Sequence, residues 1–148
     1  MTMEEMLIRY PFLSKFNPDS AEMSLRVQVI SVAEDVEAAA AYDRGEHGDV
    51  DDEDDVDNED DVDDEEHGLA AYFADPYDVE FTVGLSGGGL CYEGVKVAVA
   101  IGGPSIYVDT NTNEVRGVWW GDEFCFGIDA QACRQIDELF EELFDSYR

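Results

Sequence analysis

The sequence predicts an α+β fold in which helices cover one face of an antiparallel sheet of four to five strands. Residues 1–44 show helical spacing and capping residues, whereas the chain after residue 69 contains short segments rich in Val, Ile, Phe, Tyr and Trp. An acidic repeat at residues 49–66 separates the two patterns. The length of 148 residues fits one domain, 1–148. We expect a helical part (1–44), an acidic insertion (45–68) and a sheet with a C-terminal helix (69–148).

Two helices are predicted before the repeat. Thr2 and Glu5 have capping-box spacing, and Pro11 is expected to end this short first helix. The second helix is predicted to begin at residues 17–19, with Asn at the N-cap and Pro at the first helical position, and to end at residues 44–45. Its apolar residues recur at intervals of three and four: Leu25, Val29, Val32, Val36, Ala39 and Ala40. The β-branched stretch 26–32 leaves a strand as an alternative.

Five segments after the repeat have the composition of strands, and their close spacing favours an antiparallel meander. They are 78–84, 94–101, 105–109, 114–120 and 123–126. Residues 110–113 and 121–122 are predicted to form hairpin turns, and 86–89 a flexible strand connection.

Trp119 and Trp120 are adjacent in the fourth predicted strand. Alternation places them on opposite sides of the sheet, so one belongs to the core. The other is either covered by the N-terminal helices or exposed as a binding anchor.

A final helix is predicted after Asp129, which is expected to cap it. One apolar stripe should cover the sheet: Ala132, Ile136, Leu139, Phe140, Leu143 and Tyr147. The opposite face is acidic, with only Arg134 near it.

The repeat consists of three copies of a six-residue unit, DVDDED, DVDNED and DVDDEE, with fourteen acidic residues at positions 49–66. Valines six residues apart scatter around a helix but fall on one side of an extended chain, so we expect extension or disorder. An extended chain then carries one carboxylate every ~4 Å, which approaches the density of ~3.4 Å per phosphate along a nucleic-acid strand. Removing these fourteen charges from the net of -29 leaves -15, so the rest of the chain is acidic too.

The 37 acidic residues stand against eight Lys and Arg. This balance disfavours direct nucleic-acid binding and favours a basic partner, specifically a nucleic-acid-binding protein whose phosphate-binding groove the carboxylates would occupy. The candidate partner-binding residues come from the repeat and from the last helix. They are Asp49, Asp51, Asp52, Glu53, Asp54, Asp55, Asp57, Glu59, Asp60, Asp61, Asp63, Asp64, Glu65, Glu66, Asp137, Glu138, Glu141, Glu142 and Asp145.

Several other interpretations of this acidity stay open. The repeat could be a solvated loop that keeps the protein soluble, the host could be salt-loving, or the chain could be an immunity protein or chaperone for a basic toxin or histone-like partner. A calcium site is a further alternative, because residues 55–66 place acids at EF-hand positions. That match fails at Asp60, which stands where the loop needs a turn-forming glycine.

Catalytic signatures are not evident in the sequence. His47 and His67 are the only histidines and have no Ser or Cys nucleophile nearby in sequence. Cys91, Cys125 and Cys133 form neither a disulfide framework nor a zinc motif and are expected to be small core residues in a reducing cytoplasm. We therefore expect a soluble cytoplasmic protein that is not an enzyme, without cofactor, metal, export signal or membrane span.

The segment GGPSIYVDTNTNEVRGVWWGDEF is similar to strand pairs in small uncharacterised proteins of phages and mobile elements. In size, charge and lack of catalytic chemistry, the whole chain resembles the DNA-mimic inhibitors that phages use against restriction enzymes and CRISPR effectors. The resemblance implies a stoichiometric anti-CRISPR or anti-restriction protein in the host cytoplasm. That group is defined by its surface, so the resemblance assigns no role to individual residues.

Overall fold

The computed structural model describes residues 2–46 and 67–147. The repeat at 49–66 lies outside them, as do His47 and every prediction made for the repeat, including its extended conformation and the EF-hand alternative. The described elements are α1 (Met3–Arg9), a 3-10 turn (Pro11–Lys15), α2 (Ala21–Asp43), α3 (Leu69–Tyr72), β1 (Asp78–Ser86), β2 (Gly89–Ala100), β3 (Ser105–Asp109), β4 (Glu114–Trp119), β5 (Asp122–Gly127) and α4 (Ala130–Tyr147). The predicted α+β class, with N-terminal helices and a C-terminal helix, is confirmed.

The N-terminal capping box is confirmed. The hydroxyl of Thr2 accepts a hydrogen bond from the Glu5 backbone N–H at 3.1 Å, and Glu5 Oε1 accepts one from the Thr2 N–H at the same distance. The predicted start of α2 at residues 17–19 is wrong. Asn17 Oδ1 accepts the Asp19 N–H within a local turn, so Ser20 becomes the cap and accepts the Met23 N–H at 3.1 Å.

The strand alternative for residues 26–32 is also wrong, because this stretch is helical. Leu25, Val29, Ala33 and Val36 are buried along α2 in the main core. Burial of this stripe outweighs the modest helix penalty of the β-branched residues. The predicted end is confirmed, since Arg44 is the C-cap and Gly45 follows with φ 83°.

The five strands form an antiparallel meander in the order β1-β2-β3-β4-β5. Val97, Val108, Val115 and Phe126 are cross-strand partners in one row, and they share the face that packs against the helices. A Cβ at Gly117 in this face would overlap Val29 of α2. The glycine therefore allows α2 to lie directly on β4.

The predicted turn at 121–122 is one residue out of place. Trp120 and Gly121 form it with φ 55° and 79°, and Asp122 is already paired with Trp119 in the sheet. Trp119 packs partly buried against the core, whereas Trp120 is 81% exposed. The alternative in which the N-terminal helices cover the second tryptophan, Trp120, is therefore wrong.

The buried stripe of α4 differs from the predicted one at its C-terminal end. Ala132, Ile136 and Phe140 are buried as predicted, while Leu139 is partly buried. Cys133 and Phe144 join the buried stripe, whereas Leu143 and Tyr147 are exposed. The phase differs because Phe144 lies against Phe81 of β1 and Tyr92 of β2, with ring centroids 5.4 and 6.0 Å away.

Of the three cysteines expected in the core, only Cys133 is buried, while Cys91 and Cys125 are partly exposed. Cys125 pairs with Arg116 on the face of the sheet away from the main core. Among the described helices, none combines the length and apolar content that crossing a membrane requires.

Candidate acidic partner interface

The acidic face of α4 is present as the periodicity predicts. Glu138, Glu141, Glu142 and Asp145 are exposed. Glu138, Glu141 and Glu142 make no ion pair with any basic residue in the described part of the chain. Their charges are therefore available to a partner from solution.

Asp137 has a different environment from the other four acids. It is partly buried, and its Oδ1 accepts a hydrogen bond from the Tyr92 hydroxyl at 2.6 Å. Burial and this carboxylate raise the pKa of Tyr92, which keeps the phenol protonated as a donor. Asp137 thus fixes α4 against β2 and belongs to the support of the acidic face.

Most basic side chains of the fold are already paired. Residues 2–46 and 67–147 contain 23 acidic and seven basic residues. Five of those basic residues form ion pairs within the fold: Arg9 with Glu34, Arg26 with Asp122, Arg44 with Glu46, Lys96 with Glu80, and Arg116 with Glu114 and Glu123. Exposed pairs add little stability, but here they neutralise cations that would otherwise offset the acidic surface.

The described residues on either side of the acidic repeat contact one another and α4. Asp43 Oδ2 at the end of α2 accepts the Leu69 N–H at 2.9 Å, and the His67 ring lies 5.1 Å from the Tyr42 ring. Gln135 of α4 accepts from Arg44 at 2.8 Å and donates to the Ala40 carbonyl at 3.0 Å. The described residues that precede and follow the acidic repeat in sequence therefore lie next to the first half of α4.

A cleft of about 330 Å³ joins the face of α4 to this junction. Its lining includes the carboxylates of Asp43, Glu138 and Glu142, together with Leu69 and Gln135. Asp43 was not singled out in the sequence, because its role depends on Leu69, 26 residues away. Within the described residues, no group of three His, Cys, Asp or Glu is arranged to hold a metal ion. The carboxylates instead form one extended negative surface.

A second cleft, of about 350 Å³, lies on the other side of α3. Its lining residues are Asp35, Ala38, Ala39, Tyr42, His67, Gly68, Ala71 and Tyr72. Burial and the neighbouring Glu34 raise the pKa of Asp35, and burial together with Asp35 raises the pKa of Tyr72 to about 12. The alanine run 38–41 between charged and aromatic residues is the only sequence signal that could have indicated this cleft.

The remaining candidates have simple structural roles or lie outside the described residues. All fourteen acids of the repeat, 49–66, belong to the second group. His67 is exposed, as expected for a loop histidine. Gly87 and Gly88, at φ 59° and 84°, connect β1 to β2, while Ser86 and Gly89 already pair in the sheet; the predicted strand connection is therefore present as a two-residue turn.

Comparisons with protein-family models, with curated proteins and with solved structures gave no match for this chain. The function proposed below therefore depends on the surface and clefts just described.

Proposed function

We propose that this protein is an acidic nucleic-acid mimic that inhibits a basic nucleic-acid-binding protein of the host, a CRISPR effector or a restriction enzyme. It would occupy the groove that otherwise binds DNA or RNA. In this proposal it acts stoichiometrically in the host cytoplasm, without catalysis, cofactor or direct binding of nucleic acid.

One observation supports this proposal above the others. The exposed carboxylates of α4 continue through Glu138 and Glu142 to Asp43, which accepts the Leu69 N–H and so joins the described residues on either side of the acidic repeat. The acidic face of α4 and the described residues that flank the repeat thereby lie on the same side of the fold. In this proposal, a partner bound to the acidic face also contacts the repeat.

The spacing of the charges on α4 suits a phosphate-binding groove. Glu138 and Glu142, like Glu141 and Asp145, are four residues apart. Four helical residues advance ~6 Å, compared with a rise of ~6.8 Å along the duplex axis between alternate phosphates of one strand. Arginines that grip alternate phosphates could therefore bind these carboxylates with little rearrangement.

The mechanism is competition for the groove. Long-range attraction between the acidic surface and the basic groove raises the association rate, and short-range pairing with Arg slows release. Because exposed charges are screened over ~8 Å at physiological ionic strength, affinity should fall as the salt concentration rises.

The test is competition between this protein and fluorescent duplex DNA for a purified candidate effector, followed by anisotropy at several salt concentrations. We expect the protein to displace the DNA and to do so less well at higher salt. Glu138→Gln/Glu142→Gln should weaken inhibition by roughly two- to thirtyfold, from ~0.2 to 1 kcal/mol for each of the two exposed charge pairs. Asp19→Asn/Glu22→Gln removes the same charge from the far end of α2 and serves as the matched control.

Deletion of residues 49–66 should abolish or strongly weaken inhibition while the circular dichroism of the remaining fold is retained. Equal losses in the α4 variant and its control would show that net charge, and not this surface, is responsible. A salt-independent affinity, or failure to displace DNA from any effector, would contradict the mimic. The immunity-protein alternative predicts instead that a basic toxin, and no DNA-handling effector, is neutralised.

A further inference from the structure

The cleft between α2 and α3 has room for a small ligand because its floor is made of small residues. Four small residues are among its lining: Ala38 and Ala39 of α2, and Gly68 and Ala71 of the α3 segment. Its volume of about 350 Å³ is at the lower end of the ~300–1,000 Å³ typical of ligand sites. A single long side chain with a polar end group is of suitable size.

The walls of the cleft are aromatic and are held in place. The rings of Tyr42 and His67 lie 5.1 Å apart with an interplanar angle of 38°. On the α3 side, Tyr72 packs edge-on against Phe73 at 5.0 Å. Faces of aromatic rings carry negative potential and attract cations, most strongly where water is partly excluded.

One carboxylate completes the cleft. Asp35 makes no hydrogen bond or ion pair with any side chain in residues 2–46 or 67–147. The adjacent Glu34 is already engaged by Arg9 at 2.9 Å and by the Tyr10 hydroxyl at 2.5 Å. Asp35 is exposed, lines this cleft and has no ion-pair partner in the described part of the fold; the positive charge of the amino terminus lowers its pKa less than burial and Glu34 raise it.

This combination selects the charge and shape of the ligand. An anion would be repelled by Asp35 and by the acidic surface around it. A divalent metal needs several oxygen ligands, whereas this cleft offers one carboxylate and no described group of three potential ligands. A planar guanidinium can stack on a tyrosine ring while it donates to a carboxylate, which an ammonium does less well.

We propose that the α2–α3 cleft binds a single arginine side chain, with its guanidinium stacked on the tyrosine rings and donating hydrogen bonds to Asp35. As an anchor for an arginine of the basic partner, this site rests on the proposed function. As a guanidinium site, it stands on the geometry of the cleft alone.

The experiment is an NMR titration of the full chain with N-acetyl-arginine amide. The neutral isostere N-acetyl-citrulline amide is the control ligand. We expect saturable shifts of Tyr42, His67 and Tyr72 with arginine and none with citrulline. Asp35→Asn and Tyr42→Leu should each weaken binding about fivefold, as expected for the loss of one partly exposed ionic or cation–π contact.

Two matched variants control for net charge and for packing. Asp19→Asn removes one charge from the turn before the same helix, roughly 20 Å from Asp35 along the helix axis, and Tyr42→Phe keeps the ring. Both should stay within twofold of the wild type. Equal weakening by Asp35→Asn and Asp19→Asn, equal shifts with citrulline, or shifts spread over α4 would overturn the site.

The role in the complex is tested separately with Asp35→Asn in the DNA-competition assay. Weaker inhibition supports the anchor, and unchanged inhibition overturns it while the guanidinium site remains. If the wild type fails to displace DNA, the proposed function fails, and the arginine titration still decides whether the cleft is a guanidinium site.

Discussion

Asp43 contacts the Gly68–Leu69 segment and so joins the described residues on either side of the acidic repeat, and a double-mutant cycle tests that contact. Asp43 Oδ2 accepts the Leu69 N–H at 2.9 Å, at the first residue of α3. A carboxylate that caps a helix N–H contributes typically ~1 kcal/mol, within a range of about 0.5–2. We therefore expect Asp43→Ala to lower the free energy of unfolding by about 1 kcal/mol.

Gly68→Ala should act through the same hydrogen bond. A Cβ at Gly68 would overlap the Asp43 carboxylate, because it would lie only 3.0 Å from the Asp43 Cγ. The Asp43 side chain would have to rotate away and lose its hydrogen bond from the Leu69 N–H. The backbone at Gly68 has φ −93° and ψ −176°, which alanine adopts without strain. Alanine there also restricts the unfolded chain, which stabilises the fold by about 0.4–1 kcal/mol.

The two substitutions should therefore be non-additive. In the wild type, Gly68→Ala loses the hydrogen bond and gains the entropic term, so its net effect is near zero or mildly destabilising. In the Asp43→Ala background only the gain remains, which gives a coupling of about 1 kcal/mol.

Urea unfolding of the four proteins measures this coupling, and hydrogen exchange of the Leu69 amide shows whether the bond is lost in each single variant. A cycle of Gly68→Ala with the distant Asp19→Ala is the control and should be additive. Additivity within ~0.3–0.5 kcal/mol for Asp43 and Gly68 would refute the shared contact.

Three further predictions concern packing and ionisation. Gly117→Ala should destabilise the fold by about 1–3 kcal/mol in urea unfolding, because its Cβ would overlap Val29; an unchanged midpoint would show that α2 can move away from β4. Tyr92→Phe removes the hydroxyl that donates to Asp137, and because this hydrogen bond is only partly buried, its loss should lower the free energy of unfolding by about 1 kcal/mol. An unaltered stability would mean that water replaces the phenol. Burial raises the pKa of Cys133 to about 12, so its thiol should resist alkylation at pH 8 until the protein unfolds. Because this thiol ionises above about pH 9 only in the unfolded protein, the free energy of unfolding should decrease as the pH rises above that value. Alkylation of Cys133 before the protein unfolds would contradict this prediction.

Local patterns predicted the elements whose causes are local. The capping box at Thr2 and Glu5 involves residues three apart, and the connection at 110–113 joins strands next to each other in sequence. The predicted start of α2 is wrong because an asparagine at position 17 is able either to cap a helix or to close a local turn. In the structure its side chain accepts the Asp19 N–H and closes the turn. Sequence spacing does not distinguish these outcomes.

The acidic face of α4 was predictable for the same reason, since helical periodicity alone separates it from the buried stripe. The supporting contacts were not, because they join distant residues. Asp137 accepts a hydrogen bond from the hydroxyl of Tyr92, 45 residues away in sequence, and Asp43 accepts one from the backbone N–H of Leu69, 26 residues away. The α2–α3 cleft likewise requires the return of the chain at residue 67, which no periodicity reveals.

The two kinds of acidic site would serve different steps of binding. The carboxylates of α4 are exposed and numerous, so they act at a distance and are readily screened by salt. Asp35 is exposed as well, but it lines a cleft together with Tyr42 and Tyr72, where a partner arginine would add contact with the rings to its pairing with the carboxylate. A mimic built from charge alone would bind many basic proteins. A cleft that accepts one positioned arginine discriminates among grooves of similar charge, because an arginine in the wrong place leaves the cleft unfilled.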